Sequence, residues 1–297
     1  MPHILQNQHL SLHIDLPEEN YQLSRFDWTG KITRFTFNRQ NMTGHELPDS
    51  QIPNQGVGLY NEFGIDQPVG FEETAIGDWF HKIGVGLLRK ENSTYDFKQP
   101  YPIKSAIFQV HPKEDELAIV CYSDAYCGFA YILKKVIRLE TDGFSIHYKL
   151  MNKGVKPIIT NEYVHNFMAF DGQPIDPSHA LYLPFKTAPS LFLETVNPEG
   201  LVNIGERDIS FLGRPKEPFF FSNLSGGKSV EASWTLVNKA QKLSLSETGN
   251  FKTSAVNLWG WGHVISPELF FQIDLAPGNV VSWSRRYLVA SHRDSVT

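Results

Sequence analysis

Thr160-Asn161-Glu162-Tyr163-Val164-His165-Asn166-Phe167-Met168-Ala169-Phe170-Asp171-Gly172 is the stretch on which the reading of this chain turns. Aromatic and β-branched residues dominate it and Asp-Gly closes it, the pattern of a strand running into a tight turn. At the strand period of two, Asn161, Tyr163, His165 and Phe167 share one face, and Glu162, Val164, Asn166 and Met168 share the other. His165 thus stands between two aromatic rings with an amide nearby. One histidine among eleven can be a satisfied core residue. Whether it does more depends on its surroundings.

Working outward, alternation is clearest between Ile103 and Leu150. The runs Ala106–Val110, Leu117–Tyr122, Tyr131–Leu139 and Phe144–Leu150 are split by turn signals at Lys113-Glu114-Asp115 and Thr141-Asp142-Gly143. They predict a meander of antiparallel strands. Short strands are also expected at Leu10–Ile14, Tyr21–Ser24 and Ile32–Phe37. Asn38–Gly70, rich in glycine and proline, reads as a long ordered loop carrying Tyr60, Glu62, Phe63 and Asp66. Later strands fall at Pro218–Asn223, Ser229–Val237, Leu243–Ser246, Phe251–His263, Glu268–Leu275 and Val280–Val289. No helical period runs for a useful length, so the chain is predicted to be all-β, a large antiparallel β-sandwich forming one domain over residues 1–297.

Composition narrows the function. With 27 basic and 32 acidic residues and no block of like charge, a nucleic-acid partner or an anionic membrane surface is not expected. No apolar run approaches the roughly 20 residues that span a bilayer, and the start lacks a basic and apolar leader, so a cytoplasmic location is expected. Cys121 and Cys127 read as free, buried thiols. Gly84-Val85-Gly86 lacks the spacing of either nucleotide-binding loop. His9 and His13 share a face, but no third ligand follows at a metal-binding spacing, so no metal is expected.

A second informative stretch is Ser266-Pro267-Glu268-Leu269-Phe270-Phe271-Gln272-Ile273-Asp274-Leu275. Leu269, Phe271, Ile273 and Leu275 form an apolar face, so Glu268, Gln272 and Asp274 look the other way, and Pro267 gives Glu268 a stiff mount. Just before it, Asn257, Trp259, Trp261 and His263 share a face. Indoles beside amides, an imidazole and a carboxylate suit a sugar, whose C–H faces lie on rings while its hydroxyls need donors and acceptors.

The run from Tyr131 through Asn152-Lys153-Gly154 to Thr160–Phe170, together with Ile265-Ser266-Pro267-Glu268, Leu275-Ala276-Pro277-Gly278 and Ser282-Trp283, resembles the galactose mutarotase-like (aldose 1-epimerase) superfamily. The chain looks like a divergent branch of it. The resemblance implies that family's supersandwich fold and interconversion of aldose anomers with no cofactor. It also implies His165 as the acid that protonates the ring oxygen and Glu268 as the base that takes the anomeric proton. Asn161, Asn257, Trp259, Trp261 and His263 are then candidate substrate-binding residues. The family's His-Gly-Gly segment and its Arg-Tyr-Ala-Asn-Arg-like segment are missing, and His81, His263 and Arg89 are the candidates to replace them. A monosaccharide or sugar derivative is the expected partner. A non-catalytic carbohydrate-binding protein on the same fold, and a lyase or hydrolase using the same cleft, are the alternatives.

Overall fold

The computed structural model describes residues 2–291. Every paired strand among them is antiparallel, in sheets of seven, ten, four and three strands, and the helical content is one short turn at Pro189–Leu191. The seven-stranded sheet runs in the order His3–Gln6, Leu10–Asp15, Lys31–Phe37, Leu59–Phe63, Ile158–Asn166 and Phe271–Leu275, with Gln40–Asn41 beside Lys31–Phe37. The ten-stranded sheet contains the expected meander from Ile107–Pro112 through Glu116–Tyr122 and Tyr131–Leu139 to Gly143–Asn152, followed by Val280–Ser291 and Leu243–Thr253.

These two sheets face each other because each strand puts alternate residues inward. Leu10, Leu12 and Ile14 from one sheet and Leu133, Ile137, Phe144, Ile146 and Leu150 from the other join one buried cluster that reaches from Leu5 to Val289. Burial of that much apolar area is the main force holding the sandwich together. The large antiparallel β-sandwich expected from sequence is the architecture found. Among the described residues no helix is long and apolar enough to cross a membrane.

Some local expectations are corrected. Tyr21–Ser24 forms no strand; Tyr21 instead packs edge-on against Tyr60, and Ser24 bonds the Gln99 carbonyl. Conversely, the supposed loop at 38–70 contains the strand Leu59–Phe63, which pairs with Ile158–Asn166. All five of its residues are buried, so the alternation that marks a half-exposed strand is absent. Both cysteines are free, but only Cys121 is buried. Cys127 is exposed, at φ +50° in the tight loop that links Tyr126 to Phe129. The Asp-Gly turn holds: Asp171 and Gly172 take φ of +52° and +69°, the left-handed pair such a turn requires.

Candidate active site

The outer face of the seven-stranded sheet is where the site lies. In Ile158–Asn166 the alternation is as read: Asn161, Tyr163 and His165 line a cleft of about 740 Å³, while Glu162 and Asn166 point into the sandwich. The opposite wall comes from the hairpin Val256–Trp261 and Val264–Leu269, in whose register Asn257 faces Glu268. Asn257, Trp259 and Glu268 line that side, followed by Phe270, while Gln272 stands beside its register partner Asn161 in the seven-stranded sheet. Two sheets therefore meet at the cleft, tied by the Ser266 hydroxyl, which accepts the Asn166 backbone N–H at 2.9 Å.

At the floor, His165 Nε2 lies 3.4 Å from Glu268 Oε1, and the two side chains are 5% and 6% exposed. The other ring nitrogen, Nδ1, is 2.8 Å from Ser266 Oγ. Phe167 stacks on the imidazole at 4.1 Å, and Trp259 meets it edge-on at 5.2 Å, so the ring is clamped on its face and edge. Glu268 is held by the Ser266 and Asn257 side chains. Asn257 uses its Oδ1 to accept the Asn223 backbone N–H at 3.0 Å, which leaves its NH₂ group for the carboxyl.

Burial dominates the protonation of both groups. It pushes the Glu268 carboxyl up to about 8, against the stabilising charge of Arg25 and with the repulsion of Glu62 adding to the rise. Burial holds His165 well below its ordinary value, and the positive charge of Arg25 pushes the same way. At neutral pH the pair thus carries one ionisable proton, held mainly at the carboxyl.

Arg25, absent from the sequence-level candidates, lines the cleft beside Lys98 and is tied into it by ion pairs. Its Nε donates to Glu62 at 2.9 Å and its Nη1 to Glu46 at 2.8 Å, and the guanidinium lies over Phe26 at 4.4 Å and Phe97 at 4.6 Å. Glu62, fully buried, also accepts from Tyr163 Oη at 2.8 Å and Lys82 Nζ at 3.3 Å. No local pattern could have found Arg25, since its partners come from four separate segments. Phe270 was within reach: it shares parity with Glu268 and Gln272. The Asn161 Oδ1 is buried and has no partner among the described residues.

Of the other candidates, four lie off the cleft. His81 is buried against Phe129 and Tyr131, with Nε2 3.3 Å from the Tyr126 carbonyl, because its strand Trp79–Lys82 turns Lys82 rather than His81 toward Glu62. Arg89 is exposed and pairs with Glu91. Trp261 and His263 sit at the turn end of their hairpin, Trp261 four residues and about 13 Å of strand rise from Asn257 and His263 in the turn beyond it. There Trp261 donates to the Lys216 carbonyl at 2.7 Å and His263 Nε2 lies 3.0 Å from that of His45.

Neither family models nor curated protein sequences match the chain. Solved structures do. A candidate aldose 1-epimerase from Escherichia coli K12 superposes with a TM-score of 0.62 at 10% identity, over 98% of this chain and 99% of that one. A galactose mutarotase-like protein from Lactobacillus casei ATCC 334 gives 0.59 at 10% identity, over 98% and 100%. A galactose mutarotase related enzyme from Lactobacillus acidophilus gives 0.57 at 10%, over the whole of both chains. At these identities the likeness is one of fold: the chain has the galactose mutarotase-like antiparallel β-sandwich, far diverged in sequence.

Proposed function

We propose that the chain is an aldose 1-epimerase-like isomerase that opens and recloses a sugar ring at its anomeric carbon. The observation that carries this reading is the meeting of His165 and Glu268 at 3.4 Å on the floor of an aromatic and amide-lined cleft. The hydroxyl and ring oxygens of a hemiacetal are borne by one carbon, closer together than a hydrogen-bond length. Two proton-transfer groups side by side can therefore serve both at once.

Ring opening needs a proton removed from the anomeric hydroxyl, whose O–H electrons become the carbonyl bond, while the ring C–O bond breaks and its oxygen gains a proton. No net proton is consumed. We assign the resting proton to Glu268 and the accepting role to the neutral imidazole of His165, the reverse of the assignment the family resemblance implies. Burial, which opposes charge on both groups, favours that arrangement. Rotation about the freed bond and the opposite transfers then give the other anomer, so each group acts once as acid and once as base. Ser266 at Nδ1 orients the imidazole, and Trp259 and Phe270 offer flat surfaces to the sugar.

Anomer exchange followed by NMR on a panel of aldoses tests this. Acceleration by the folded protein is expected, falling roughly 10²- to 10⁴-fold in His165→Ala and in Glu268→Gln. No acceleration on any sugar would overturn it. Sugar binding that survives Glu268→Gln without turnover by the parent protein would select the purely carbohydrate-binding alternative.

A further inference from the structure

The cleft does not end at Arg25. Arg25, Glu46, Phe97 and Lys98 also line a hollow of about 270 Å³, and Tyr21 and Asn54 of that hollow in turn line a cavity of about 680 Å³ beneath residues 50–57. The far cavity and the cleft open on the same face of the seven-stranded sheet. Tyr60, in the cavity, is the register partner of His165, in the cleft, and directly paired residues leave a sheet on the same side. Phe26 packs edge-on against both rings, 5.3 Å from Tyr60 and 6.3 Å from His165.

The interior of the far cavity is polar and under-used. Tyr60 is 2% exposed and its hydroxyl has no hydrogen-bond partner among the described residues. Asp15, also 2% exposed, has Asn20 donating to Oδ2 at 2.7 Å and no described donor at Oδ1. A phenol hydroxyl that opens on a cavity can donate and accept, and a carboxylate oxygen has lone pairs to fill, so both can meet the hydroxyls of a ligand there. The stretch between the two cavities is an aromatic ring, Phe97, with the amide of Asn54 beside it. Rings, amides and a carboxylate in file recognise successive polyhydroxylated rings, as the cleft itself does.

We propose that the ligand is an oligosaccharide. Its reducing-end unit occupies the His165–Glu268 cleft, and further units pass Arg25 and Phe97 into the cavity of Asp15, Tyr21 and Tyr60. This rests on the reading of the cleft as a sugar site and adds the length of the sugar that the protein is built for.

The test is calorimetric titration of the full chain with malto-, cello- and β-1,4-galacto-oligosaccharides of one to four units, with anomer exchange on the same sugars as a separate readout. Affinity in one series is expected to rise about tenfold or more between one and three units, the gain of one or two added hydrogen bonds and a stacked ring. Tyr60→Phe and the loop variant Asn54→Ala should each shrink that gain by roughly three- to tenfold. Because Asn54 is exposed, its variant tests the proposal even should Tyr60→Phe fail to fold. Affinity independent of length in every series, no binding at all, two monosaccharides bound independently, or a length gain untouched in both variants would each overturn it. Turnover of monosaccharides with no length effect leaves the isomerase standing and removes this proposal. A length gain lost in the variants, with no turnover of any sugar, does the opposite.

Discussion

Glu268 is a carboxyl whose proton affinity is set by where the fold puts it. Its folded value of about 8 stands above the ordinary 4.5, so the folded protein binds this proton more tightly than the unfolded chain does. That contribution to stability is complete below about pH 4.5 and is lost as pH rises through about 8. Glu268→Gln keeps the shape and cannot ionise. Its melting temperature relative to the parent protein is therefore expected to improve steadily from about pH 5 to about pH 9, by an amount equivalent to a few kcal/mol. His165 shifts the other way and adds a cost only in acid, below its ordinary 6.5. For the same reason kcat/KM for anomer exchange should fall above about pH 8, when the last proton leaves the pair, and a profile still rising there would contradict the one-proton assignment. His165 and Glu268 were legible because strand parity fixes which way each looks. Their mutual contact was not, since it depends on how two sheets meet.

The strand Ile158–Asn166 works on both faces. Behind the cleft it supplies Glu162 and Asn166 to a polar seam inside the sandwich. There Arg285, fully buried, donates to Glu162 Oε2 at 2.7 Å and Glu247 Oε1 at 2.6 Å. Asn166 donates to Glu247 at 2.9 Å and accepts from the Tyr287 hydroxyl at 2.9 Å, while Lys135 reaches Asn61 Oδ1 at 2.7 Å. Removing the arginine would leave two carboxylates in the core without their cation. Arg285→Met is expected to cost about 3–5 kcal/mol in denaturant unfolding, although the side chain lies outside the cleft. A loss below about 1 kcal/mol would mean that the seam is already solvated. Sequence parity assigned Glu162 and Asn166 to the inner face but gave no hint that four more strands would bring polar side chains to the same seam. Leu59–Phe63 escaped notice for a related reason: buried on both sides, with Asn61 turned to the seam and Glu62 to the cleft, it has neither polar alternation nor a plain apolar run.

Across the whole molecule, the order of strands in space departs from their order in sequence. Val280–Ser291 pairs with Gly143–Asn152 on one side and Leu243–Thr253 on the other, and it carries Trp283, Arg285 and Tyr287 into the core. A chain truncated after Gly278 should lose its near-ultraviolet circular dichroism and its cooperative melt, because two long ladders and the seam go together. A truncated chain with native-like tertiary signals would refute that central role. The meander at 107–152 and the sandwich class were readable from local alternation and turns. The pairing of Leu59–Phe63, Ile158–Asn166 and Phe271–Leu275 was not, because contacts across such spans leave no mark in a local window.

That late strand in a central position has a bearing on how the protein is made. While the chain is being synthesised, the two ladders that flank the gap wait with their backbone donors and acceptors unpaired, and such bare edges recruit other chains. Translation runs at about 5–20 residues per second, so the interval before Val280–Ser291 emerges is long compared with the microseconds in which a hairpin forms. The sandwich thus closes only once Val280–Ser291 has been made, and the yield of soluble protein should respond to chaperone supply and growth temperature more than to changes in the cleft.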